Sequence, residues 1–290
     1  MPDVFLFSLF LFFLQYGVSE SYKPVILMHG ILSSQRDLND LKAFIKKAHP
    51  GTETYNIDAF NDLLSLEPMG KQVRIVAPMM KKIMDANPQG VHLICFSQGG
   101  LVCRGVLETL PSHNVYNFIS LSSPQGGQFG VPSMLKPFIP AVSREYLYEV
   151  FYTSVGQNVS VGDYWYDPHH LDLFKKPALK VFLAQLNNQT ANPYSSAFKN
   201  NFLKIKNLIM IGGPDDGVIT PWQSSHFGTY DENENVKEMV NQEYYIKDSF
   251  GLQTLNKRGS LHKYVIPGVK HTHWHGNKDV FEKCIEQWLD

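Results

Sequence analysis

The chain has 290 residues, 43% of them hydrophobic and 13% aromatic, with 26 basic residues facing 27 acidic ones. That composition belongs to a folded globular protein, and 290 residues suffice for one large core. A net charge of −1 without a basic stripe argues against a nucleic-acid partner.

The chain opens on MPDVFLFSLFLFFLQYGVS, whose apolar run from Val4 to Leu14 is too short to span a bilayer but fits a signal-peptide core. Gly17 and Ser19 supply small residues at the −3 and −1 places, so residues 1–19 are predicted to be cleaved before Glu20. No later stretch is long and apolar enough for a stable membrane span. Secretory entry gives meaning to two sequons, Asn158-Val-Ser160 and Asn188-Gln-Thr190, as glycosylation acceptors. Cys95, Cys103 and Cys284 are too few for a disulfide scaffold.

From Lys23 onward, apolar runs alternate with amphipathic stretches, the pattern of a mostly parallel sheet flanked by helices. KPVILMHG reads as a strand, LNDLKAFIKKAH as a helix and TETYNID as the next strand. VRIVAPMMKKIMDA has helical spacing, with Pro78 marking a start or a kink. GVHLICFS is a buried strand and QGGLVCRGVLETL a helix. NFISLSS, LKIKNLIMIGG and HKYVIPG are further strands. NKDVFEKCIEQWL closes the chain as a helix capped by Asn277. The alternation fails between about 125 and 201, a region rich in Phe, Tyr and Trp. It is predicted to be an insertion lying over the sheet edge within a single domain, residues 20–290.

LICFSQGG runs a buried strand into Ser97 and a helix out of it. That is the setting of a nucleophile elbow, with Cys95 where the usual pattern has its first glycine. Cys95 and Cys103 bracket the turn, and in an oxidising compartment they are candidates for a disulfide. The order serine, acid, histidine then directs attention to late strand ends. NLIMIGGPDDGVIT offers Asp215 and Asp216; Asp216 is taken as the acid and Asp215 as a turn residue. VKHTHWHGNKD offers three histidines, with His271 nearest the strand end as the base, His275 as second candidate and His273 as third. Alternating histidines also suit a metal, and His169 and His170 form a second cluster, but a metal would take the base from an otherwise complete triad. No metal or organic cofactor is therefore expected. The LMHGILSS turn and the elbow place the N–H groups of Ile31 and Gln98 as donors to an oxyanion, with His29 bracing the loop.

With these residues in view, the chain resembles the palmitoyl-protein thioesterases, lysosomal α/β-hydrolases, and most closely their second type. The likeness runs from about Tyr22 to Leu289. It is carried by YKPVILMHG, HPGT, GVHLICFSQGGLVCR, FISLSSPQ, YWYDPHH, IGGPDDGVITPWQSS and DSFGLQTL. The resemblance implies an α/β-hydrolase fold, the triad Ser97, Asp216 and His271, fatty-acyl thioester substrates and lysosomal delivery. The family carries further cysteines, so Cys284 stands here without an evident partner. Aromatic side chains of the insertion are expected to line an acyl groove. An oxygen-ester lipase of the same fold shares every catalytic residue and is the main alternative. A non-catalytic hydrolase-like binding protein would call for a missing triad member, and none is missing.

Overall fold

The computed structural model describes residues 22–138 and 141–289; the expected signal peptide lies outside them. Six strands form one sheet: β1 (Val25–Met28), β2 (Thr54–Asn56), β3 (Val91–Phe96), β4 (Val115–Leu121), β5 (Asn207–Gly212) and β8 (Leu261–Val265). Their order is β2-β1-β3-β4-β5-β8, and every neighbouring pair is parallel. Two short strands, β6 (Thr229–Tyr230) and β7 (Val236–Lys237), make a separate antiparallel pair.

The continuous apolar runs at β1, β3 and β5 follow from burial of both sheet faces, since successive side chains point to opposite sides. Ile26, Met28, Leu93, Cys95, Leu208 and Met210 pack on the face that carries α2 (Met69–Ala86) and α3 (Gln98–Thr109). Val25, Leu27, Ile94, Phe96, Ile209 and Ile211 pack on the other, with Leu41 and Ile45 of α1 (Asn39–Ala48) and with Val280, Phe281 and Ile285. Each such fully buried aliphatic side chain contributes about 1.5–3 kcal/mol. The central helix α3 is so enclosed that its charged residues pair inside the core, Arg104 Nε to Glu108 Oε1 at 2.7 Å. The Arg104 guanidinium lies 4.0 Å from the centre of the Phe250 ring.

Three expectations need correction. Helix α2 does not start at Pro78 but at Met69, and it runs through the proline. Buried Val73, Val76, Met80 and Met84 hold that helix to the core on both sides of the missing N–H. The closing segment is not a regular helix: Lys278–Val280 is α-helical, Phe281–Ile285 widens to a π-turn and Glu286–Trp288 tightens to 3-10. Asn277 does cap it, accepting the Val280 N–H at 3.1 Å. The segment between β4 and β5 folds into α4 (Tyr148–Phe151), α5 (Ser160–Asp163), α6 (Leu171–Phe174), α7 (Phe182–Leu186) and α8 (Ser195–Phe202). Its residues join the apolar cluster on the α2–α3 face, so it covers a face of the sheet and not merely its edge.

Candidate active site

The triad candidates and the two candidate oxyanion donors stand just past the carboxyl ends of parallel strands, the edge where open α/β sheets bind their ligands. Gly30 and Ile31 follow β1, Ser97 follows β3, Asp216 follows β5 and His271 follows β8. The parallel register brings these ends together although the residues are far apart in the chain.

Ser97 sits between β3 and α3 with φ 53° and ψ −131°, a strained conformation for a residue with a side chain. The sharp turn is possible because its neighbours lack side chains: a Cβ on Gly30 would lie 2.7 Å from Ser97 Cβ, and one on Gly99 only 2.2 Å from the His29 carbonyl oxygen. A disulfide joins Cys95 on β3 to Cys103 on α3 and so ties the two arms of the turn. Cys284 is a buried free cysteine, and burial pushes its thiol up to about 11.

Ser97 Oγ lies 2.9 Å from His271 Nε2. On the far side of the ring, Nδ1 lies 2.9 Å and 3.1 Å from the two carboxylate oxygens of Asp216. Burial alone would raise the Asp216 carboxyl. The hydrogen bond and charge of His271, then the Ser122 hydroxyl and the Ile219 N–H, outweigh it and bring the group down to about 2. An ionised carboxylate only accepts, so the ring proton belongs on Nδ1 and leaves Nε2 free to accept from Ser97. His271, Ser97 and Asp216 are all buried.

Two further residues hold that carboxylate and were missed in the sequence. Ser122, after β4, donates to Asp216 Oδ2 at 2.6 Å, and Trp274 Nε1–H donates to the same oxygen at 2.7 Å. The other oxygen accepts the N–H groups of Val218 and Ile219 at 3.0 Å and 2.8 Å. HTHWHG supplied the only hint, a tryptophan with a polar handle inside the histidine run. Asp215 is a turn residue, as expected: its Oδ2 accepts the Gly268 N–H at 2.7 Å.

The other histidines are elsewhere. His273 is exposed. His275 meets the Phe96 ring edge-on at 4.9 Å, and Phe96 also lies 4.9 Å from the His271 ring. His169 and His170 pair with Glu234 and Asp167. Among the described residues no three His, Cys, Asp or Glu side chains converge on one point that would hold a metal ion. His29 Nε2 lies 3.0 Å from the Ala59 carbonyl oxygen and braces the loop after β1.

A cavity of about 470 Å³ opens beside His271. Ile31, Leu32, Phe96 and Met134 give it apolar walls, and Arg36, Asp37, Asp40 and His275 give it polar ones. The insertion contributes Met134. Its Phe129, Phe151, Tyr164, Trp165 and Tyr166 are instead buried in the core, so they pack the insertion down and do not line this cavity. A larger cavity, about 630 Å³, lies at the opposite edge of the sheet beside Lys206 and Arg258, away from this chemistry. Asn158 is exposed and Asn188 half-buried.

Residues 24–271 match the family model of palmitoyl protein thioesterase. The chain is 50% identical to the lysosomal thioesterase PPT2-B of Xenopus laevis, over 93% of this chain and 94% of that protein. It is 48% identical to the human lysosomal thioesterase PPT2, over 93% of this chain and 88% of that one. The Drosophila melanogaster homolog is 43% identical, over 94% of each. Among solved structures, a monoacylglycerol lipase of Paleococcus ferrophilus superposes with a TM-score of 0.50 at 15% identity, covering 92% of this chain and 95% of that one, a likeness of fold. The six-stranded parallel sheet with its flanking helices is an α/β-hydrolase fold, and the chain belongs to the palmitoyl protein thioesterase family of thioester hydrolases.

Proposed function

We propose that the protein cleaves fatty-acyl thioesters with Ser97 as nucleophile, His271 as base and Asp216 as the acid that orients it. The observation that carries this reading is the hydrogen bond of 2.9 Å from Ser97 to His271, at a strained strand-to-helix turn.

His271 Nε2 takes the Ser97 proton as Oγ attacks the thioester carbonyl carbon. The carbonyl oxygen becomes an oxyanion, held by the N–H groups of Ile31 and Gln98. The neighbouring Leu32 N–H is already taken by Ser65 Oγ at 2.7 Å, which leaves Ile31 as the donor of that turn. As the carbon–sulfur bond breaks, His271 returns the proton to the leaving thiol. Water then gives a proton to His271 and attacks the acyl-serine, and the fatty acid leaves as Ser97 regains its hydrogen. Asp216 stays ionised throughout and stabilises the imidazolium. The apolar wall of Ile31, Leu32, Phe96 and Met134 is assigned to the substrate beside the scissile bond.

The relatives' names support delivery to the lysosome, which the signal peptide at residues 1–19 and glycosylation at Asn158 and Asn188 would serve.

The test is hydrolysis of acyl-coenzyme A esters of graded length beside matched oxygen esters. Thioesters are expected to be cleaved faster, because a thiolate asks less of its general acid. Ser97→Ala should lose several powers of ten in rate while melting normally. Faster cleavage of the oxygen ester would favour a lipase, and turnover retained by Ser97→Ala would remove the serine from the mechanism.

A further inference from the structure

We infer that Ser65 is a positioning residue that ties the two oxyanion donors to one point. Ser65 belongs to the 3-10 turn Asp62–Leu66 and is buried, 1% exposed, although two leucines beside it are exposed. Both of its polar groups face the active-site scaffold. Its hydroxyl accepts the Leu32 N–H at 2.7 Å and donates to the Asp62 carbonyl at 2.5 Å. Its carbonyl accepts the Gln98 side-chain amide at 2.7 Å and the Gln72 amide at 2.9 Å.

Leu32 and Gln98 come from opposite sides of the site. Leu32 follows Ile31 in the loop after β1, and its φ of 51° puts it in the left-handed region. A left-handed residue holds that shape only if neighbours over-determine it, and the bond to Ser65 is one such constraint. Gln98 begins α3 immediately after Ser97. Its side chain is clamped at both ends, the amide nitrogen by Ser65 and the amide oxygen by the Tyr164 hydroxyl at 3.1 Å. Ser65 therefore sets the loop that carries the Ile31 N–H against the helix start that carries the Gln98 N–H.

The distance between two such donors matters because they act on charge that exists only in the transition state. A donor that drifts by about 1 Å costs about a hundredfold in rate even when the drift starts far from the chemistry. Ser65→Ala removes the hydroxyl, frees the Leu32 N–H and leaves the carbonyl contact to Gln98 in place. It should loosen one donor and keep the other.

The inference rests on the serine-hydrolase reading above, so Ser97→Ala is run beside it. The probes are an acyl-coenzyme A ester, a fatty-acyl trifluoromethyl ketone whose hemiketal oxygen occupies the oxyanion site, and the free fatty acid product. For Ser65→Ala we expect kcat to fall about tenfold to a hundredfold with KM within about twofold. Affinity for the ketone should fall by the same factor and affinity for the fatty acid should hold. Ser65→Thr, which keeps the hydroxyl, should recover most of the loss. If the alanine variant is unstable, Ser65→Cys carries the comparison, with similar volume and a weaker acceptor. Wild-type kcat and ketone affinity in the folded alanine or cysteine variant would overturn the role of Ser65 alone. So would equal losses for ketone and fatty acid, which mark a merely structural residue. A wild type that cleaves no thioester, or a Ser97→Ala variant that still does, would instead bring down the hydrolase reading and this inference with it.

Discussion

The indole N–H of Trp274 donates to Asp216 Oδ2 at 2.7 Å, from the same short segment that carries His271. One turn thus delivers both the imidazole and a clamp for the carboxylate that orients it. Trp274 is buried and packs into the cluster beneath α1.

Trp274→Phe should therefore keep most of the packing and lose one hydrogen bond to a charged group. Such a bond is worth about 1.5–3 kcal/mol, so kcat should drop by about tenfold or more. Steady-state kinetics would decide it; a kcat within twofold of wild type would show that Ser122 and the backbone N–H groups hold the carboxylate unaided.

The three clustered histidines should respond unequally. His271→Ala should be almost inactive. His273 is exposed, and its alanine variant should behave as wild type. His275 lines the cavity and packs on Phe96, so its loss should raise KM more than it lowers kcat. Equal loss in all three, with inhibition by chelators, would revive a metal site.

Burial makes the stability contribution of Asp163 depend on pH. Burial raises its carboxyl to about 7, against the lowering effect of N–H groups from Met69 and Phe182. A raised folded-state value means stability that is fully present below the unfolded value of 3.8 and is lost as pH rises through about 7. Asp216 works the other way: its contribution is present above 3.8 and is lost as pH falls through about 2. Between 3.8 and about 7 Asp163 therefore lowers stability as pH rises, buried Glu108, raised to about 7, acts in the same direction, and buried His226, lowered to about 3, acts in the opposite one. Asp163→Asn should remove the fall in stability that Asp163 imposes between pH 3.8 and about 7. An unchanged slope in thermal melts from pH 4 to pH 8 would assign the pH dependence to other groups.

Removing the disulfide should weaken the elbow without abolishing chemistry. The loop it closes spans a sequence separation of 8. Chain-entropy arguments value such a closure at roughly 2–3 kcal/mol. The double variant Cys95→Ala/Cys103→Ala adds lost packing at two buried sites. Chemical denaturation should show a loss of about that size or more, and an unaltered midpoint would contradict it.

The sheet and the serine turn were legible because their signals are local. Both sheet faces are buried, so β1, β3 and β5 read as continuous apolar runs, and glycines cluster wherever the backbone passes close to Ser97. The order of Ser97, Asp216 and His271 followed from which strand ends carry polar residues. Other features depend on which chain ends converge, and no periodicity reports that. Ser122, Trp274 and Ser65 are ordinary residues in sequence. They reach Asp216 and Gln98 only because the carboxyl ends of β1, β3, β4, β5 and β8 lie at one edge. The insertion shows the same limit: aromatic density predicted a groove, yet Trp165 and its neighbours face inward. Short helices joined by irregular turns have no repeat to indicate which side is buried. Tertiary packing decided it, because large aromatic rings release the most free energy where they lose the most water.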